Sequence, residues 1–170
     1  MSFTSWDRTK RTVPILLEGD GPTQLGIFTD KTAEVAGQTW KLDVNPKLGA
    51  SATLADDRVF RAAGNLSRDD RIEVSLDGRT FALINENAGD WIIEDAEENK
   101  VAQFSSRNSG VRKAIVEFSD GAMEELGQEN VAALSWFARL VLESKLGGSS
   151  TAIIATLVFL SAVAVLAVLF

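Results

Sequence analysis

Residues 151–170 read TAIIATLVFLSAVAVLAVLF, an apolar run with no charged residue. About 20 apolar residues at ~1.5 Å rise make a helix of roughly 30 Å, the thickness of a bilayer's hydrocarbon core. A helix satisfies its own backbone, as lipid requires, and the hydroxyls of Thr151, Thr156 and Ser161 can bond back to helical carbonyls. The run therefore predicts a single C-terminal transmembrane helix. Gly147-Gly148-Ser149-Ser150 reads as a flexible hinge before it. The alternative for such a run is a helix enclosed by its own barrel, because the upstream pattern is β-rich. Arg139 and Lys145 precede the run, which favours a cytoplasmic N-terminal side. The opening MSFTSWDRTKRTVPILLEGDG has basic residues but no apolar stretch long enough for a signal peptide. The expected topology is single-pass.

The net charge of −7 belongs to the part before the apolar run. An acidic domain repels nucleic acid and anionic lipid headgroups at long range, and no nucleic-acid partner is expected. There is no Cys, His or Tyr. That removes disulfides, thiolate nucleophiles, zinc–thiolate sites and the commonest general base and metal ligand. No Ser/His/Asp triad is possible. The carboxylate pairs Asp56-Asp57, Asp69-Asp70, Glu97-Glu98 and Glu124-Glu125 are neighbours in turns or on a helix, where they point to solvent. Neither a phosphate loop nor a calcium loop is present. The expectation is a non-enzymatic protein without cofactor or metal.

Residues 1–11 are polar and mixed in charge and read as a flexible arm. From 12 to 118 the chain alternates short apolar runs with turn residues. The candidate strands are Val13–Leu17, Gln24–Phe28, Glu34–Ala36, Thr39–Val44, Ala52–Ala55 and Val59–Ala62, then Arg71–Leu76, Thr80–Asn85, Asp90–Glu94, Val101–Ser105 and Val111–Phe118. Their regular spacing predicts a mainly β domain, a small antiparallel sandwich or partly open barrel. Asp77-Gly78, between IEVSL and TFALI, is a hairpin turn. Pro14 suggests an edge strand or bulge.

Residues 119–146 turn helical, with Ser119-Asp120 as cap and an acidic first turn, and Gly127 as a possible interruption. Val131, Leu134, Ala138, Val141 and Leu142 form one apolar stripe, widened by Ala133, Phe137 and Leu140. This helix is expected to pack on the sheet or plug an open barrel. Alternatively it lies at the membrane surface, with Trp136 and Phe137 at headgroup depth and Lys145 snorkelling. Trp136, Phe137, Arg139 and Lys145 are accordingly candidate partner or membrane contacts. So is the small-residue face of Ala155, Ser161, Ala162 and Ala164, which would let a neighbouring helix approach. Arg107, Arg112 and Lys113 form a local basic cluster.

The segment DGRTFALINENAGDWIIEDAEENKVAQFSSRNSGVRK, from Asp77 to Lys113, resembles the tubby-like, LURP-one and phospholipid-scramblase group. Trp91, Asp95, Val101, Ala102 and Phe104 fit that group's strand, core aromatic, turn Asp and Val-Ala strand opening. The resemblance implies a β-barrel around an apolar C-terminal helix, and proteins that bind membrane lipids or sit at membranes. Arg107, Arg112 and Lys113 would then meet headgroups. In layout, an acidic domain on one span with no cofactor ligand is similar to the accessory subunits of actinobacterial respiratory supercomplexes. That likeness implies a bacterial plasma membrane and an integral-membrane protein complex as partner. The expected function is a tail-anchored accessory or assembly subunit of such a complex. The alternative is a membrane-lipid-binding, scramblase-like barrel.

Overall fold

A computed structural model describes the backbone of residues 2–107 and 110–169, and the side chains of 2–107 and 111–147. Twelve antiparallel strands form a closed barrel in which each strand pairs with its sequence neighbours. They are β1 (Ser2–Asp7), β2 (Ile15–Glu18), β3 (Gln24–Phe28), β4 (Thr32–Val35), β5 (Gln38–Asn45), β6 (Gly49–Thr53), β7 (Val59–Ala63), β8 (Arg71–Leu76), β9 (Arg79–Asn87), β10 (Asp90–Asp95), β11 (Lys100–Ser105) and β12 (Val116–Phe118). A short α1 (Gly110–Lys113) precedes β12, and α2 (Ala122–Leu169) follows it.

Closure comes from β1, which pairs with β2 through Trp6↔Leu16 and with β12 through Ser2↔Phe118. The expected flexible arm 1–11 thus contains a barrel stave. This corrects the sandwich or partly open barrel. Thr4, Ser5 and Trp6 of β1 are all at 3% exposure or less; Thr4 and Trp6 face the interior, and Ser5, on the other face, is covered where its hydroxyl donates to the Gly19 carbonyl at 2.7 Å. Two of the three are hydroxyl residues, so β1 carries no apolar alternation. Thr4 is buried because its hydroxyl shares a 2.8 Å hydrogen bond with that of Ser135 on α2, which satisfies both groups inside the barrel. A closed barrel has no edge strand, so Pro14 sits just before β2 instead, its carbonyl accepting from the Phe28 amide at 3.0 Å.

Alternation explains the wall. β8 reads Arg-Ile-Glu-Val-Ser-Leu with every second residue buried, the period of a strand with one face in a core. α2 supplies the filling. Every residue from Val131 to Leu142 is buried, a stretch of roughly 18 Å at the helical rise. A helix buried on all sides is one enclosed by other elements. The covering helix is therefore threaded through the barrel. Its ring contacts run around the wall: Trp136 stacks on Phe28 with ring centres 6.3 Å apart, and Phe28 meets Trp6 at 5.0 Å and Trp40 at 6.4 Å. Phe60 continues the series against Trp40 at 5.6 Å.

Two glycines shape this arrangement. Gly127 breaks α2 with φ 78° and ψ 164°, separating a first turn at the rim from the threaded part. At Gly49, φ is +123° and a Cβ would lie 1.9 Å from the Ala62 carbonyl oxygen. Gly49→Ala must therefore both strain the backbone and push β6 from β7. We expect a loss of about 1–3 kcal/mol, readable as a lowered urea midpoint with an unchanged slope.

The anchor expectation is corrected. Among the described residues no helix is long and apolar enough to cross a membrane. The threaded part of α2 and its flanks carry Glu124, Glu125, Glu129, Arg139, Glu143 and Lys145, too many charges for an unbroken apolar window. The single-pass topology and the plasma-membrane address with a cytoplasmic domain fall with it. The side chains of 148–170, including Ala155, Ser161, Ala162 and Ala164, lie outside the described residues. The backbone is helical through 147–150, where a hinge was expected.

Candidate functional site

An up-and-down closed barrel sends alternate loops to opposite ends, and this topology sorts the charges. The loops after odd-numbered strands carry Arg8, Lys10, Arg11, Lys31, Lys47, Arg68, Arg107, Arg112 and Lys113, against Asp30, Asp69 and Asp70. Nine cations against three carboxylates give these loops a net charge of +6. The loops after even-numbered strands carry Asp20, Asp56, Asp57, Asp77, Glu97, Glu98 and Asp120 against Arg58 alone. Seven carboxylates against one cation give those loops −6, although Asp20 reaches across to within 3.6 Å of Lys113. The net charge of −7 therefore conceals a strongly polar molecule.

α2 enters at the acidic end and leaves at the basic one. At entry, Glu129 accepts from Gln38 Nε2 and from Arg58 Nη2, each at 2.9 Å. Arg58 also reaches Asp56 at 2.8 Å and Asp77 at 3.4 Å. The hydrogen bond from Arg58 holds the Asp56 carboxyl below its ordinary range. At exit, Lys145 donates to the Asp69 carbonyl at 2.8 Å and sits 3.5 Å from the Asp70 carboxylate. It also lies 5.2 Å from the centre of the Trp91 ring. Asp70 is pulled below its ordinary pKa first by the Asn85 amide and then by the charge of Lys145.

The basic end has a focus. Arg8, Arg11 and Arg112 line one cleft of about 340 Å³. A second cleft shares Arg8 and Arg112 and adds Lys113 and Asp20, whose side chains are 3.6 Å apart. Arg8 Nη1 lies 2.7 Å from Glu143 Oε1, a close ion pair whose angles do not make it a hydrogen bond. Glu143 also faces Arg139 at 3.6 Å. Arg139 is 7% exposed, with its Nε and Nη1 lacking hydrogen-bond partners. Its guanidinium lies 4.2 Å from the centre of the Trp6 ring, a cation–π contact that partly replaces lost hydration. Burial pulls its pKa down to about 10, with Glu143 opposing and Arg8 adding to the fall.

The sequence-derived candidates are scattered by the fold. Trp136 and Phe137 lie in the core at 1% and 0% exposure, and Arg139 is buried beside them. Lys145 tethers the helix end. Arg107 is on the basic end, but its Nε donates to the Ala88 carbonyl at 3.1 Å and its Nη1 faces Asp90 at 3.6 Å. Of the cluster Arg107, Arg112 and Lys113, only Arg112 lines the arginine cleft. Its companions Arg8 and Arg11 lie in the stretch read as an arm. Their signal was the RTKR run at 8–11, which gains meaning only once β1 fixes its position.

A groove on the outer wall is lined by Glu86, Asp90, Arg107 and Glu117 among others. Its polar groups partner one another: Ser105 donates to Asp90 and Gln103 to Glu117, each at 2.6 Å. Among the described residues no cluster of His, Cys, Asp or Glu could hold a metal ion. No family model, curated protein or solved structure matches this chain.

The residues that carry the tubby-like resemblance also have definite places. Trp91 and Phe104 stack at 5.7 Å inside the barrel, and Ala102 is buried beside them. Asp95 organises the β10–β11 turn, its Oδ1 accepting from the Asn99 and Glu97 amides at 2.8 and 3.0 Å. The Asn99 amide is the first cause of a lowered Asp95 pKa. A depressed folded-state pKa stabilises above the unfolded value and loses that contribution as pH falls through the folded one. The urea-midpoint gap between wild type and Asp95→Ala should be full at pH 7 and narrow below about pH 4.

Proposed function

We propose that this protein is a non-enzymatic barrel that docks its basic end peripherally on the headgroups of anionic phospholipids. The segregation of charge along the barrel axis carries the reading. Loops summing to +6 on one side and to −6 on the other, with Asp20 and Lys113 meeting between the two sets, orient the molecule in the field of a negative surface, and the acidic end is pushed away from it. The interior supports an external mode of binding, because the side chains of Val131–Leu142 occupy it and leave the ends and outer wall for partners. The tubby-like resemblance, with its lipid-binding members, supports the same reading. The layout-based alternative, an accessory subunit on an integral-membrane complex, draws no support from the described residues.

The test is co-sedimentation of the intact chain with phosphatidylcholine vesicles containing rising fractions of phosphatidylglycerol. Binding should increase with the anionic fraction and weaken from low to physiological salt, since contacts at about a Debye length are screened. Absence of binding at low salt would count decisively against docking. Duplex DNA serves as the competing polyanion, and equal affinity for it would move the reading away from lipid.

A further inference from the structure

We propose that the cleft between Arg8, Arg11 and Arg112 is a discrete site for one phosphomonoester dianion, with Glu143 as the internal carboxylate that the phosphate displaces from Arg8. This rests on the docking reading for the same end and adds a single recognised group to a diffuse attraction.

Three observations lead here. Arg8, Arg11 and Arg112 bring three positive charges to one cleft of about 340 Å³, room for a phosphate and its first waters. Arg11 and Arg112 make no hydrogen bond or ion pair among the described residues, so their donors are uncommitted. Arg8 is committed to Glu143 at 2.7 Å, yet that carboxylate is shared with the buried Arg139 at 3.6 Å. If Arg8 turned to a phosphate, Glu143 would keep Arg139 as its counter-ion, so the exchange would strand no buried charge. Guanidinium forks match phosphate oxygens in pairs. A phosphomonoester near neutral pH carries about −1.5 to −2 charges and three strong acceptor oxygens. A phosphodiester carries a single charge and fewer free oxygens, so three converging arginines favour the monoester.

The experiment uses the intact chain and two kinds of vesicle at matched surface charge, one with phosphatidate (a monoester) and one with phosphatidylglycerol (a diester). Glycerol 3-phosphate is the soluble competitor. Phosphatidate should bind about tenfold more tightly, the worth of one good charge-assisted contact, and glycerol 3-phosphate should compete saturably. Arg112→Gln should abolish the preference, while phosphatidylglycerol binding weakens only by about fivefold, the worth of one basic residue at a charged surface. Glu143→Gln should raise affinity for the monoester by freeing Arg8. Competition as tight as phosphatidate itself identifies a soluble phosphomonoester as the ligand, and a tenfold lipid advantage identifies the headgroup. Equal binding of the two vesicles without competition overturns the site and leaves docking intact. Competition by glycerol 3-phosphate without phosphatidylglycerol binding removes docking and keeps the site. If Glu143→Gln does not fold, Arg112→Gln decides alone: an unchanged monoester preference overturns the proposal.

Discussion

Trp136→Ala should lower the free energy of unfolding by about 3–5 kcal/mol, the range for removing a large aromatic from a closed core. Trp136 is 1% exposed and stacks on Phe28, which in turn touches Trp6 and Trp40. Barrel walls are held at fixed spacing by their ladders and cannot collapse into the space a missing indole leaves. Domains of this size are stable by about 5–15 kcal/mol, so the variant would sit near the edge of folding. Urea unfolding followed by the fluorescence of the remaining tryptophans reads this directly. A loss below about 1 kcal/mol would mean that α2 does not fill the barrel.

Arg11→Glu combined with Arg112→Glu should weaken binding to anionic vesicles by roughly a thousandfold. Each basic residue near a charged surface is worth about 1 kcal/mol, and the two reversals change the end by four charge units. Both residues lack partners among the described residues, so stability should barely move. The matched control is Glu97→Lys with Glu98→Lys at the opposite end. It raises the net charge of the molecule, yet should leave vesicle affinity within a few fold. If the two pairs of changes acted only through the net charge of the whole chain, the polarity of the barrel would be irrelevant to binding.

Most strands could be seen in the chain before any coordinates. β8 alternates cleanly up to Asp77-Gly78, and β3, β5, β7, β9, β10 and β11 lie close to their predicted runs. β1 was hidden because burial there is achieved by hydroxyls. Thr4 and Ser5 look solvated until Ser135 and the Gly19 carbonyl are placed opposite them. The run 111–118 combined α1 with β12, since four helical residues are too few to show a period. The stripe on α2 was legible, and its widening by Ala133, Phe137 and Leu140 was the sign of a helix surrounded on every side. Trp136 and Phe137 were ambiguous for a physical reason: an aromatic pair suits an interface with lipid and a core equally well. The basic end could not be read from composition, because carboxylates at the far end cancel it. Only the alternation of loops in a closed meander brings Arg8 and Arg11 to Arg112, more than a hundred positions along the chain.

The threading of α2 also orders events at the ribosome. Synthesis delivers the staves first and the residues that fill them last. Until Val131–Leu142 have emerged from the exit tunnel, the apolar inner faces of β1–β12 have nothing to close around, and β1 must wait for β12 before it gains its second neighbour. Pairing across so much chain is slow, and unpaired strands are the species that aggregate. Nascent chains stalled before residue 131 should therefore remain protease-sensitive and chaperone-bound, whereas chains stalled once residue 147 has cleared the tunnel should acquire resistance in one step.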